Sequence, residues 1–405
     1  MPWDRIFFSL LLLFLPTQLG LHVWPEWSMV LGRRVDFLSP TIYLTDIFIG
    51  LIISSWFFAI HNKFLISNFK LVIKQKKVPV SIYKTILFLG FVSANIYFAQ
   101  NRMIAIYMWL KVLEYSFLAY YIIYTKPKFS DMIFPLSFGV LYSSVIAIVQ
   151  FLLQHSVGGP LWWLGERSFS SITPGIAQFN FCHPLNHVCS LVMRAYGTFP
   201  HPNVLGGFLA ILLPLLIFNQ TKKFSIIKPL IIILGIIALF LTFSRSAWIA
   251  ALIGVGLMNY ELWKKSKLFM PTILVSMIII LFIASSVGLR DESVIVRTQL
   301  NNSAIKMFLE SPVLGKGLGN FLVTLPDTIP SRQIYFLQPV HNIYLLVLSE
   351  TGVIGFTLFI GLLWTARKKR ILILVLFLGF FDHYFLTLQQ GQLLLTILLS
   401  STIVL

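Results

Sequence analysis

The sequence predicts an all-α fold: a polytopic membrane bundle of about twelve transmembrane helices, in one domain over residues 1–405. Two observations carry that expectation. Apolar residues make up 57% of the 405 and charged residues only 11%, whereas soluble chains hold roughly 25% charged residues. Twelve spans of about 20 residues need ~240 apolar positions, close to what this chain supplies. Such a composition excludes a soluble cytosolic enzyme and a disordered chain. With only two cysteines, it also excludes a secreted domain stapled by disulfides.

Apolar runs separated by polar breaks place the spans at about 6–21, 41–60, 83–99, 103–124, 132–153, 203–218, 228–243, 247–262, 270–288, 342–364, 371–388 and 392–405. The stretch Ile6–Leu21 has no small-x-small cleavage site and is therefore taken as a span rather than a signal peptide. The net charge of +17 then concerns topology and lipid, not nucleic acid. Every second loop is rich in lysine: Lys63 to Lys84, Lys126 and Lys128, Lys222 to Lys228, Lys264 to Lys267, and Arg367 to Arg370. The positive-inside rule assigns these loops, and with them both termini, to the cytoplasm.

The opposite face is basic in a different way. Its positive residues are Arg33, Arg34, Arg102, Arg167, Arg194, Arg245, Arg290, Arg297 and Arg332, with only Lys306 and Lys316. Topology does not ask for arginine over lysine, but a planar fork that grips phosphate or carboxylate does. Ordinary surface pairing with Glu166, Asp291, Glu292 or Asp327 accounts for most of them, leaving three or four for function. Two outer segments are long enough to build a site, 154–202 and 289–341. The first is irregular, with Trp162 and Trp163 at the membrane interface. In the second, Asp291 or Ser293 caps a helix over about 293–310, with Arg297 and Asn301 four apart on one face.

Four polar constellations project to that face. They are Arg194 to Asn203, through Gly-Thr-Phe-Pro-His-Pro; Thr242 to Trp248, containing Phe-Ser-Arg245-Ser; Arg297 followed by Pro312-Val-Leu-Gly-Lys-Gly; and His341-Asn342 followed by Glu350-Thr-Gly-Val-Ile-Gly355. In this order they resemble the O-antigen ligase and polymerase superfamily, over about residues 150–365. The resemblance implies a twelve-helix membrane enzyme that transfers a glycan from an undecaprenyl-diphosphate carrier to a glycolipid, glycan or protein acceptor on the outer face. It also implies an inverting reaction without metal or cofactor. Its two essential arginines fall on Arg194 and Arg297, and its essential histidine on His341. Loop 154–202, with Trp162-Trp163-Leu-Gly-Glu-Arg167, matches no general element of the superfamily and is expected to select the acceptor.

The chemistry of the residues agrees. A diphosphate leaving group gathers negative charge as the glycosidic bond breaks, and fixed guanidinium groups stabilise it. Arg194, Arg297 and Arg245 are the candidates, in that order. An acceptor hydroxyl needs a base, which a neutral histidine such as His341 supplies. Asn203, Asn301 and Asn342 are candidates for support. Asp382-His383, inside the eleventh span, is the alternative acid–base pair, although a buried and satisfied pair is the plainer reading. Glu350 lies half a turn from His341 on the helix and reads as a packing residue. His201 reads as shaping the start of the sixth span, and Arg245 reads equally as a snorkelling end-cap.

Cys182-His-Pro-Leu-Asn-His187-Val-Cys189 admits a disulfide, free thiols or a metal cage. The oxidising side of the membrane favours the first. The alternative from another class is a transporter or flippase of lipid-linked sugars, which calls for charges along a path at mid-membrane. Lys111, Glu114, Glu350 and Asp382 are the internal charges it would have to use.

Overall fold

The computed structural model describes residues 2–66, 80–182, 189–218, 226–258, 292–329, 337–367 and 369–401. Its helices are α1 (Trp3–Leu13), α2 (Leu44–Ile66), α3 (Val80–Tyr97), α4 (Arg102–Thr125), α5 (Phe129–Leu153), α6 (Pro202–Phe218), α7 (Lys228–Leu241) and α8 (Arg245–Met258). They continue as α9 (Glu292–Glu310), α10 (Phe321–Thr328), α11 (Ile343–Thr365), α12 (Leu372–Gly379), α13 (Tyr384–Thr387) and α14 (Gln389–Ser400). Among the described residues α4, α5 and α11 are long and apolar enough to cross a bilayer. Leu44–Ala59, α6, α7 and α8 are shorter apolar helices. This is a multi-pass helical membrane protein.

The described helices do not add up to twelve full spans. The expected span 270–288 lies outside the described residues. The expected span 6–21 is helical only to Leu13: proline at position 16 cannot donate to the ladder, and the chain leaves as strand β1 (Gly20–His22). Span 371–388 is two short helices, α12 and α13, broken at Asp382-His383. Broken helices at membrane depth are tolerated where the freed backbone lines a cavity, and this break does.

Helix α6 forms the centre. It is buried at every position from Val204 to Leu216, as expected of a helix that is apolar all round. Gly207 lets α13 pack against it: a Cβ there would lie 1.8 Å from the Tyr384 hydroxyl.

Helix α11 is broken as well. Gly352 takes φ 62°, a conformation open to glycine, and the segment Pro312–Gly319 docks into the gap. Lys316 N donates to Ser349 O at 2.9 Å, Gly317 N to Glu350 O at 2.9 Å, and Val353 N to Pro312 O at 2.8 Å. The Glu350 carboxylate accepts from Phe321 N at 3.2 Å, and Asn95 Nδ2 on α3 reaches the carbonyls of Leu314 and Glu350. The glycine-rich motif after Arg297 and the motif around Glu350 therefore form one structural lock, which satisfies backbone groups that a broken helix leaves open.

The irregular parts gather at the end of the bundle where α2, α6 and α11 begin. Strand β1 pairs antiparallel with β4 (Thr41–Tyr43), Gly20 facing Tyr43, around the small ribbon of β2 (Met29–Val30) and β3 (Arg33–Arg34). Strands β5 (Gln178–Cys182) and β6 (Cys189–Met193) make a second hairpin. Below them Lys111 on α4 pairs with Asp46 at 2.7 Å and Glu114 at 2.9 Å, and Gln389 of α14 hydrogen-bonds Asp46.

Candidate functional site

Arg194 follows directly on hairpin β5–β6. Its backbone N–H donates to Ala177 O at 3.0 Å and that of Ala195 to Leu241 O at 3.0 Å, so the residue is pinned between the hairpin and the end of α7. Only 8% of Arg194 is exposed. Its Nε donates to Thr242 O at 2.6 Å and its Nη2 to Asn203 Oδ1 at 2.7 Å. Burial brings its pKa down to about 10, with Arg297 acting in the same direction and Tyr196 and Asp382 opposing. It remains a cation at neutral pH.

The carbonyl that holds Arg194 comes from an unusual turn. Phe243 has φ 48°, a region that bulky residues adopt only when their surroundings impose it. Here the ring stacks on Phe179 of β5 with centroids 3.8 Å apart and sits beside Trp248 at 6.1 Å. Trp248 Nε1 in turn donates to Leu239 O at 2.9 Å. The Phe-Ser-Arg-Ser-Ala-Trp motif thus aims the Thr242 carbonyl at Arg194 and begins α8 at Arg245.

His341 precedes Asn342, the N-cap of α11, whose side chain accepts from Tyr344 N at 2.9 Å and Leu345 N at 3.0 Å. His341 Nδ1 is buried and has no hydrogen-bond partner among the described residues. The break between α12 and α13 brings His383 against it, ring centroids 5.1 Å apart. Asp382 Oδ1 accepts from His383 N at 2.9 Å, and its Oδ2 accepts from Asn203 Nδ2 at 3.0 Å. His201 closes the ring of groups: its Nδ1 accepts from Asn203 N at 3.1 Å. Burial, and secondarily Arg194, push His201 down to about 3. Burial also lowers the His341 pKa, with Arg297 adding to it and Asp382 opposing. Both imidazoles are neutral at pH 7, the form that can accept a proton.

Two cavities flank this cluster. One, of about 630 Å³, is lined by Arg194, Arg245 and Arg297 together with the apolar Phe377, Phe381 and Val294. The second, of about 590 Å³, is lined by His22, Asp36, Tyr43, Trp162, Arg167 and Asp382. His201, Gln338 and His341 line both. Loop 154–202 contributes to each: Trp162 and Gly165 to Ser168 face the second cavity, and Gly175 to Asn180 the first.

The structure therefore gathers Arg194, Asn203, Arg245, Arg297, His341, Asp382 and His383. Asn342 serves as a helix cap, and Asn301 lines neither cavity. Arg290, Asp291 and Arg332 lie outside the described residues. Among the described residues Glu166 pairs with no arginine: it is buried and accepts from Val157 N, Gly158 N and Gln150 Nε2. Asp36 is the partner of Arg167, at 3.8 Å. Sequence reading missed His201 and Gln338 as wall residues and Asp46 as the partner of Lys111. The His-Pro-Asn spacing carried the only signal for His201, and for Gln338 there was none. Cys182 and Cys189 are register partners on β5–β6, and Cys189 is disulfide-bonded; His183 and His187 lie outside the described residues. His341, Asp382 and His383 offer ligand atoms within 4.8 Å of one another, a cluster that a divalent cation can use, so a chelator arm belongs in any assay.

Residues 230–360 match the model of a family described as O-antigen ligase. The match includes Arg245, Arg297 and His341, begins after Arg194 and ends before Asp382. No curated protein matches the chain.

Proposed function

We propose, from the match of residues 230–360 to the O-antigen ligase family, that this chain is a glycosyltransferase of the ligase or polymerase type. It moves a glycan from an undecaprenyl-diphosphate carrier to a glycolipid, glycan or protein acceptor at the outer face of the cytoplasmic membrane. The observation that carries the proposal is that His341 stands between two cavities, only one of which is lined by Arg194, Arg245 and Arg297.

The arginine cavity suits the donor. Its guanidinium groups face the diphosphate, and Phe377, Phe381 and Val294 offer an apolar wall to the prenyl chain. The acceptor hydroxyl approaches from the second cavity and passes its proton to His341 as its oxygen bonds to the anomeric carbon. The bond to the diphosphate breaks on the opposite face of the sugar, so configuration inverts. Charge developing on the departing phosphate oxygen is met by Arg194, already oriented by Thr242 O and Asn203 Oδ1, and by Arg297 from the same cavity, which stabilise it more in the transition state than before. No step here requires a metal or cofactor. In this reading both termini are cytoplasmic and the cavities lie outside, which the lysine-rich loops support through the positive-inside rule, in a bundle whose full complement of spans we take as twelve.

The transporter alternative is poorly served by Lys111, which is closed into ion pairs with Asp46 and Glu114 rather than lining a path. The test is transfer by purified protein in nanodiscs from a labelled undecaprenyl-diphosphate oligosaccharide to a panel of acceptors, with and without chelator. Chelator-resistant transfer, lost in folded Arg194→Ala, Arg297→Ala and His341→Ala, is expected. Carrier movement across vesicles without any transfer would establish the transporter instead.

A further inference from the structure

We propose that Asn203 is a positioning residue that holds Arg194 toward the diphosphate and Asp382 toward the histidines while keeping these two opposite charges from pairing directly. The inference rests on the site reading above. Asn203 Oδ1 accepts from Arg194 Nη2 at 2.7 Å, and its Nδ2 donates to Asp382 Oδ2 at 3.0 Å. An amide has one accepting and one donating end, so this pair of neighbours fixes its orientation: the oxygen must face the cation and the N–H₂ the carboxylate.

The consequence follows from charge. Arginine and aspartate in direct contact form a bidentate pair, and a guanidinium neutralised in that way has less to offer a phosphate. With a neutral amide between them, Arg194 keeps its full charge and its remaining donors for the cavity, and Asp382 keeps its full charge for the imidazoles. Pro202 sets the start of α6, and Asn203 N is held by His201 Nδ1 at 3.1 Å, so the amide sits on a rigid element. The ionisable groups that face Asp382 are His201 at the start of α6, His341 before α11, and His383 and Tyr384 on its own turn. Arg194 and Arg297 act on the same cluster from the cavity wall.

Asn203→Asp tests this with almost no change of shape. The new carboxylate would neutralise Arg194, so the donor KM should rise roughly tenfold or more. Its other oxygen would replace the N–H₂ that faces Asp382 Oδ2 at 3.0 Å, so the two carboxylates must share a proton and kcat should fall roughly tenfold or more as Asp382 loses its hold on the imidazoles. The acceptor KM should stay unchanged. Asn203→Ala should lower kcat by roughly ten- to a hundredfold, and in a double-mutant cycle its effect should not add to that of Asp382→Asn. Thermal unfolding in nanodiscs establishes that each variant is folded. A folded Asn203→Asp protein with the wild-type donor KM and kcat would overturn the relay, as would additive effects in the cycle. If Arg194→Ala and His341→Ala retain transfer, the site reading fails and the relay falls with it. If those two are inactive while Asn203→Asp behaves as wild type, the relay alone is wrong.

Discussion

Replacing Arg194 by lysine keeps the charge and removes the geometry, which makes it the sharpest test of how the site works. The guanidinium spends Nε on Thr242 O at 2.6 Å and Nη2 on Asn203 Oδ1 at 2.7 Å and still has donors to turn toward the cavity. A lysine ammonium is a point charge on a flexible stem and cannot satisfy both partners while also facing a diphosphate. Losing a hydrogen bond from a charged group removes about 1.5–3 kcal/mol. Losing a preoriented donor to developing negative charge lowers kcat by about 10²–10³. Arg194→Lys is thus expected to fall by about 10² in kcat, and Arg194→Ala toward 10³ or beyond. Single-turnover transfer at saturating donor isolates the chemical step, and thermal unfolding reports on the buried acceptors left behind. A folded Arg194→Lys enzyme within threefold of wild type would refute the argument, because charge alone would then suffice.

The remaining expectations are independent of that one. His341 and His201 have pKa values below the ordinary 6.5, the latter at about 3. Transfer should therefore hold its rate down through the usual histidine range and fail only in stronger acid, as a pH–rate profile would show. Because the unfolded chain binds these protons and the folded one does not, the stabilisation from keeping them neutral is complete above pH 6.5. It is lost progressively as the pH falls toward 3, which thermal melts across that window would detect. Gly352→Ala should destabilise the fold strongly, since a Cβ at φ 62° would lie 2.4 Å from the backbone of Val313; melting would reveal it even if residual transfer persists. Cys189→Ser opens a short loop at the hairpin tip and should lower stability by about 2–3 kcal/mol in the chain-entropy account, read as a lowered denaturation midpoint. Exchanging residues 154–202 with a relative's loop should carry acceptor choice with it, and unchanged choice in the transfer assay would argue against the loop as selector.

Composition and pattern were enough for the class of molecule: a chain this apolar must fold in lipid, and helices are how a chain with these runs can do so. The candidate arginines and His341 could also be singled out, because arginine where topology needs only a positive charge is itself a signal, and the fold gathers them around one cavity. The helix breaks were not legible. Residues 371–388 read as one span, yet the chain breaks at Asp382, and only that break carries the carboxylate beside His341. Hydropathy averages over such a break, and no local propensity says which buried polar residue will find a partner 179 positions away, as Asp382 finds Asn203. The same limit hid the join between the 312–319 segment and Gly352: each glycine run looked like a loop signal, and only the packing of one backbone into the other explains both. What the sequence determined by itself was the solvent this protein folds in and which side chains had chemistry to offer. What the tertiary structure alone decided was their order around His341, with cation, amide, carboxylate and imidazole in contact, because that order depends on contacts between elements far apart in the chain.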